Sequence, residues 1–196
     1  MVLEVGCGLG YFKRALSRNF TYVGTDISLF PLQTAEMRET NGDFVQSDGA
    51  ALAFCSDSFD VVVAFDMLEH MSSPGLAISE IYRVLRKNGR LIATTPNVRS
   101  LGNRIKSPTA GLVPSMYKDK THESLLSRDE WVSLFRGAGF EMLRSDSDTL
   151  WDLPYSTRVP MILQKITLIP FNMIISYLFG GLAWNLGENL VFVCKK

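Results

Sequence analysis

Val2-Leu-Glu-Val-Gly-Cys-Gly-Leu-Gly10 is the stretch that decides how this chain folds. Residues 1–5 form an apolar run with the composition of a buried strand. Glycines follow at 6, 8 and 10, and then a helix with Phe12, Ala15 and Leu16 on one face. A strand that passes through a glycine turn into a helix lets a ligand approach the backbone at the strand's carboxyl end. The same alternation continues downstream. Strands are expected at 22–25, 44–46, 59–65 and 90–94. Helices are expected from Pro31 to about Glu39 and over 75–87, the second stopped by Gly89. Strands alternating with helices predict an α/β fold, a mostly parallel sheet with both faces covered.

The second half changes character. Residues 97–124 read as a long loop carrying Arg99, Arg104, Lys106, Lys118 and Lys120. Ser127-Arg-Asp-Glu130 is a capping box that opens a helix through Trp131, Leu134 and Phe135. Two more strands are expected, one beginning over 140–143 and one over 189–194. Between them, at about 153–187, lies a very apolar insertion, and from Ile166 to Gly187 no residue is charged. Its length would cross a bilayer, but Pro170, Asn172, Gly180, Gly181 and Asn185 interrupt a clean span. The segment reads as one or two helices broken near Pro170 or Gly180-Gly181. Trp184, Phe171, Phe179 and Tyr177 offer bulky surface to an acceptor, a second copy or a membrane.

Composition narrows the function. The chain has 196 residues, enough for one domain with a substantial core. Twenty basic residues balance twenty acidic ones, so the basic footprint that nucleic-acid binding needs is missing. Cys7, Cys55 and Cys194 are far apart and form neither a metal pattern nor a disulfide framework, which suits a reducing cytoplasm. Met1 leads straight into the first strand, without the flank of a secretory leader.

Three acids frame one ligand. Glu4 precedes the glycines, Asp26 ends the second strand and Asp48 follows the third. A carboxylate at position 26 can accept both hydroxyls of a ribose, and one at position 48 can accept from the exocyclic amine of adenine. A dinucleotide fingerprint would place its third glycine at position 11, which is Tyr11. A nicotinamide-dependent oxidoreductase is therefore a rival reading that the glycine spacing opposes.

The stretches Val2 to Gly10, Val23-Gly-Thr-Asp-Ile27, Ser47-Asp-Gly49, Ser58-Phe-Asp-Val-Val62 and Arg83-Val-Leu-Arg-Lys-Asn-Gly-Arg-Leu91 resemble class I S-adenosylmethionine-dependent methyltransferases. Glu69-His70 and His122 look like the ubiquinone-biosynthesis type O-methyltransferases within that class. The resemblance implies a Rossmann-like seven-stranded sheet of order 3-2-1-4-5-7-6 with the last strand antiparallel. It implies S-adenosylmethionine as cofactor, with S-adenosylhomocysteine as product. The cofactor would be bound by Glu4, Gly6, Gly8, Gly10, Asp26 and Asp48, with Cys7, Ile27, Gly49 and Phe65 beside them. Relatives carry one or two helices before the first strand that help close the active site. Here that strand begins at residue 2, which reads as a shortened start.

Methyl transfer from a sulfonium is a displacement on an activated carbon, so alignment of the nucleophile does much of the work. A hydroxyl acceptor benefits from a general base. His70 and His122 both follow strands on the cofactor edge. His70 is the better base, and His122 is expected to be structural. Glu69 with a single histidine is too few ligands for a metal, and none is expected. The place where DNA and protein-glutamine methyltransferases carry an Asn-Pro-Pro-Tyr type clamp reads Phe65-Asp-Met-Leu-Glu69, so the acceptor is expected to be a small molecule. A lipophilic acceptor, peripheral membrane contact and a homodimer all follow as expectations from the insertion. A non-catalytic binding or assembly module of the same fold is the second rival.

Overall fold

In a computed structural model of the chain, the structure describes residues 1–17, 19–38, 42–106, 112–183 and 185–196. Seven strands form one sheet: β1 Val2–Val5, β2 Tyr22–Asp26, β3 Asp43–Gln46, β4 Phe59–Phe65, β5 Leu85–Pro96, β6 Glu141–Ser147 and β7 Asn189–Lys195. Their order is β3-β2-β1-β4-β5-β7-β6, as the resemblance implied. The first five pair in parallel, and β7 runs antiparallel to both β5 and β6. Chain order reverses across β1 and β4, which is where open sheets of this kind hold ligands.

β1 is buried at all four positions, as a central parallel strand must be when helices cover both faces. Leu3, Val62, Ala64, Leu91 and Ala93 meet Ala77, Ile78 and Ile81 of α3 (Pro74–Val84), and Trp131 and Phe135 of α5 (Arg128–Gly137) in one core. The capping box at α5 is present in full: the Ser127 hydroxyl accepts from the Glu130 amide, and the Glu130 carboxylate accepts from the Ser127 amide. α2 spans Leu29–Arg38, while Glu39 lies outside the described residues.

Several expectations are corrected. α1 is only Tyr11–Ala15. Its Ala15 is exposed, and Lys13 is the buried residue, lying over the Tyr22 ring. α3 ends at Val84, before Gly89, because Leu85 is already fully buried and pairs with Phe59 as the first residue of β5. The segment after β5 is no plain loop. It carries α4, Leu101–Ile105, capped by the Ser100 hydroxyl, and a 3-10 turn at Ser115–Tyr117. The insertion between β6 and β7 forms one helix, α6, Met161–Phe179. It continues through Pro170 and stops at Gly180, whose φ of 69° is the left-handed conformation that glycine adopts without strain. Trp184 lies outside the described residues.

Candidate active site

Two clefts open side by side at the carboxyl ends of β1, β2 and β4. The first, of about 550 Å³, is lined by Gly6 from the glycine turn, Asp26 and Ile27 after β2, and Asp48 and Gly49 after β3. Met67, Met71 and Leu76 supply its apolar wall, and His70 closes one side. The second, of about 270 Å³, lies between Glu69, His70, Met116, His122, Trp151 and Glu188. Asp66 and His70 border both.

The glycine turn is held from within. Gly6 and Cys7 donate to the Thr25 carbonyl, Gly10 donates to Cys7, and Gly8 donates to the Asp26 carboxylate at 2.9 Å. These four amides are thus engaged within the protein and are not offered to a dinucleotide's diphosphate. The physical case against the oxidoreductase reading therefore extends beyond the missing third glycine. Gly6 has φ 76°, and a Cβ there would lie 2.4 Å from Met67 Cγ, so only glycine lets the methionine wall close against the turn.

The structure places the expected cofactor residues in two groups. Gly6, Asp26, Ile27, Asp48 and Gly49 line the first cleft. Glu4, Cys7, Gly8, Gly10 and Phe65 are not on its walls. Glu4 lies beneath the turn and accepts a hydrogen bond from the Tyr22 hydroxyl. Burial pushes its carboxyl up to about 7, against the opposing effect of that bond and with help from Asp26. Glu4 pairs with Gly24 across the sheet, and the Tyr22 hydroxyl would lie 2.7 Å from a Cβ on Gly24, so Gly24 is what allows the phenol to reach Glu4. Cys7 is buried and its thiol is pushed up to about 12, chiefly by that burial. Phe65 packs edge-on against Phe12, 5.2 Å between ring centres. These five residues shape and stiffen the turn that presents the others.

His70 is oriented by a relay that sequence distance concealed. Its Nδ1 lies 3.2 Å from the Thr121 carbonyl and 2.9 Å from the Thr121 hydroxyl, and that hydroxyl donates to Asp119 at 2.6 Å. A carbonyl can only accept, and the hydroxyl proton is committed to Asp119. Nδ1 therefore carries the hydrogen, and Nε2 presents the lone pair. His122 lies beside it, ring centres 4.8 Å apart, with its own Nδ1 donating to the Met116 carbonyl at 2.8 Å. Expected to be structural, His122 in fact lines the second cleft.

Glu69 completes the group. It is fully buried, neither carboxylate oxygen has a hydrogen-bond partner, and burial raises it to about 8. Ligand atoms of Glu69, His70 and His122 all come within 4.8 Å of one another, the set among the described residues that could hold a metal ion. No metal was expected because Glu69 and one histidine on a loop are a weak metal signal; the structure adds His122 as a third candidate ligand.

A seven-stranded sheet of this order, with carboxylates at the ends of β2 and β3 around a glycine turn, defines a class I S-adenosylmethionine-dependent methyltransferase fold, whose cofactor is S-adenosylmethionine. Residues 3–93, somewhat under half of the chain, match the family described as Methyltransferase domain, and this part of the chain belongs to it. Among its relatives, the malonyl-[acyl-carrier protein] O-methyltransferase of Paenibacillus sp. (strain JDR-2) is 31% identical over 160 residues, 76% of this chain and 58% of that protein. The ubiquinone biosynthesis O-methyltransferase of Pseudomonas putida (strain GB-1) is 33% identical over 149 residues, 72% of this chain and 64% of that protein. The chain thus spans somewhat under two thirds of the length of these curated relatives. A Haloferax volcanii methyltransferase, solved in complex with the Trm112 methyltransferase activator, shares the fold. Its TM-score is 0.70 at 22% identity, covering 99% of this chain and 80% of that one.

Proposed function

We propose that the protein transfers the methyl group of S-adenosylmethionine to an oxygen nucleophile of a small acceptor seated in the second cleft. The observation that carries this reading is His70, which borders both clefts with its tautomer fixed by Thr121. The first cleft fits the cofactor: Asp26 and Asp48 offer carboxylates to ribose and base, and Ile27, Met67 and Leu76 offer apolar contact. When bound, the cofactor would supply an electrophilic methyl group, its sulfur–carbon bond breaking as S-adenosylhomocysteine leaves. His70 Nε2 accepts the acceptor's hydroxyl proton as the new oxygen–carbon bond forms. The relay through Thr121 to Asp119 stabilises the imidazolium that results. Pro96, Met116 and Trp151 give the second cleft an apolar side suited to a lipophilic acceptor. The two curated relatives, both O-methyltransferases, support oxygen as the methylated atom.

The test is turnover of cofactor carrying a labelled methyl group across a panel of hydroxylated acceptors. His70→Ala should lower kcat by about 100-fold or more, the usual worth of a general base. Affinity for S-adenosylhomocysteine should stay nearly constant. Equal losses in both would assign His70 to cofactor packing, and an absence of turnover in the wild type would favour the binding-module rival.

One observation favours a second reading of the same site. The unpartnered, buried Glu69 carboxyl beside two histidines suits a divalent cation, which would activate the acceptor oxygen as a Lewis acid. Under that reading, EDTA abolishes turnover and a divalent salt restores it. Turnover unchanged by EDTA leaves His70 as the base.

A further inference from the structure

α6 leaves apolar side chains in the open around most of its circumference, Leu163, Ile174 and Leu178 among them, unlike a helix of a water-exposed surface. The stripe turned toward the protein consists of Gln164, Leu168, Asn172 and Ile175, and it is anchored by its polar members. Gln164 accepts from the Tyr155 amide and donates to the carbonyls of Ser156 and Val159, while Asn172 accepts from the Leu150 amide and donates to its carbonyl. The opposite stripe, Ile162, Ile166, Ile169, Met173 and Tyr177, recurs every three or four residues and is wholly apolar in its carbon skeleton. It stands in the open: Met173 is 68% exposed and Tyr177 89%. A soluble surface helix turns such a stripe inward.

We propose that this face is a docking surface for an anionic lipid bilayer, on which the helix lies flat. The inference is independent of which acceptor the active site takes. The tethers decide between lying and crossing. Asn172 is bonded to Leu150 at mid-helix, Arg144 donates to the Gly180 carbonyl at its end, and Leu182 is already bridged to Ser147 of β6. A 19-residue helix is about 28 Å long, enough to cross, but its middle is fastened to the segment that follows β6 and its end to β6 itself. Charge selects the occupant. From residue 153 to 187 the charged side chains are Arg158 and Lys165, both exposed and both basic. Lys165 lies on the flank of the apolar stripe, where its stem can run along acyl chains while the ammonium stays among headgroups. A second copy of this chain would bring the same cations and no acid to meet them. None of the described residues between 153 and 187 lines either cleft, although the Tyr155 hydroxyl donates to Glu188 on the wall of the second. Trp151, Asp152 and Glu188 at its two roots do line the second cleft, which places the acceptor's entry beside the proposed bilayer contact.

The test is flotation of the full chain with vesicles of phosphatidylcholine alone and of phosphatidylcholine mixed with phosphatidylglycerol. Binding should favour the anionic vesicles by about 30-fold, the effect of two cations near such a surface, and should weaken with salt. Ile166→Glu with Met173→Glu should abolish flotation while keeping the rise in melting temperature caused by S-adenosylhomocysteine. Arg158→Glu with Lys165→Glu, at exposed sites that should not disturb folding, should remove the preference for anionic vesicles. Wild type that stays out of both vesicle fractions overturns the proposal. So does flotation unchanged in the variants, or a dimer that Ile166→Glu with Met173→Glu dissociates without any vesicle binding.

Discussion

Asp26 does two things at one carboxylate. Its two oxygens accept from the Gly8 and Ser28 amides, each at 2.9 Å, and so hold the glycine turn against the end of β2. The same group lines the cleft where a ribose would present its hydroxyls. Hydrogen bonds to a charged acceptor are the stronger kind, each contributing about 1.5–3 kcal/mol. Asp26→Ala is therefore expected to weaken S-adenosylhomocysteine binding by about 10- to 100-fold in calorimetry. Asp26→Asn, which keeps an acceptor oxygen for the turn, should fall between. Equal affinity in all three proteins would remove Asp26 from the ribose site. Glu4, which the resemblance also assigns to the cofactor, does not itself line the cleft; it is buried beneath the turn and accepts from the Tyr22 hydroxyl.

At the scale of elements, what could be read from the sequence divides at β5. The first four strands, α2 and α5 were legible because each carries its own local signal: an apolar run, a proline in the first helical turn, a capping box. The order of β7 between β5 and β6 was legible only through resemblance, since antiparallel insertion of a final strand leaves no local mark. The 97–124 segment misled because a stretch with five basic residues and no periodicity read as a long loop. Lys106 is instead buried and paired with Asp152 at 2.6 Å, and Ser100 donates to Glu188 at 2.9 Å. Those contacts fasten α4 to both roots of the insertion, and no periodicity in either segment predicts them. The site shows the same division. Asp26, Asp48 and His70 sit at strand ends and could be placed. Thr121, Asp119 and His122 reach His70 from about fifty residues away, and no local pattern around them points to it.

At the scale of the whole molecule, the buried carboxyls set how stability responds to pH. Glu4 at about 7, Asp148 at about 6 and Glu69 at about 8 are all raised, in each case chiefly by burial. A raised carboxyl holds its proton in the folded chain over a range where the unfolded chain has already released it. The folded state then binds more protons, and stability falls as pH rises through that range. For Glu4 the window runs from the ordinary carboxylate value of 4.5 up to about 7. Within it the loss approaches roughly 1.4 kcal/mol per pH unit, or a drop of a few degrees in melting temperature for a chain of this size. Glu4→Gln keeps an oxygen for the Tyr22 hydroxyl and has no proton to lose. Its melting temperature should decline less steeply between pH 5 and pH 7, with Glu69, Asp148 and Glu188, all raised chiefly by burial, contributing to the slope that remains. At pH 8 the variant should match or exceed the wild type, because there the wild type has paid for a buried charge that glutamine never carries. Parallel melting curves for the two proteins across that range would show that Glu4 is ionised in the folded state throughout. The support beneath the glycine turn would then be a charged one.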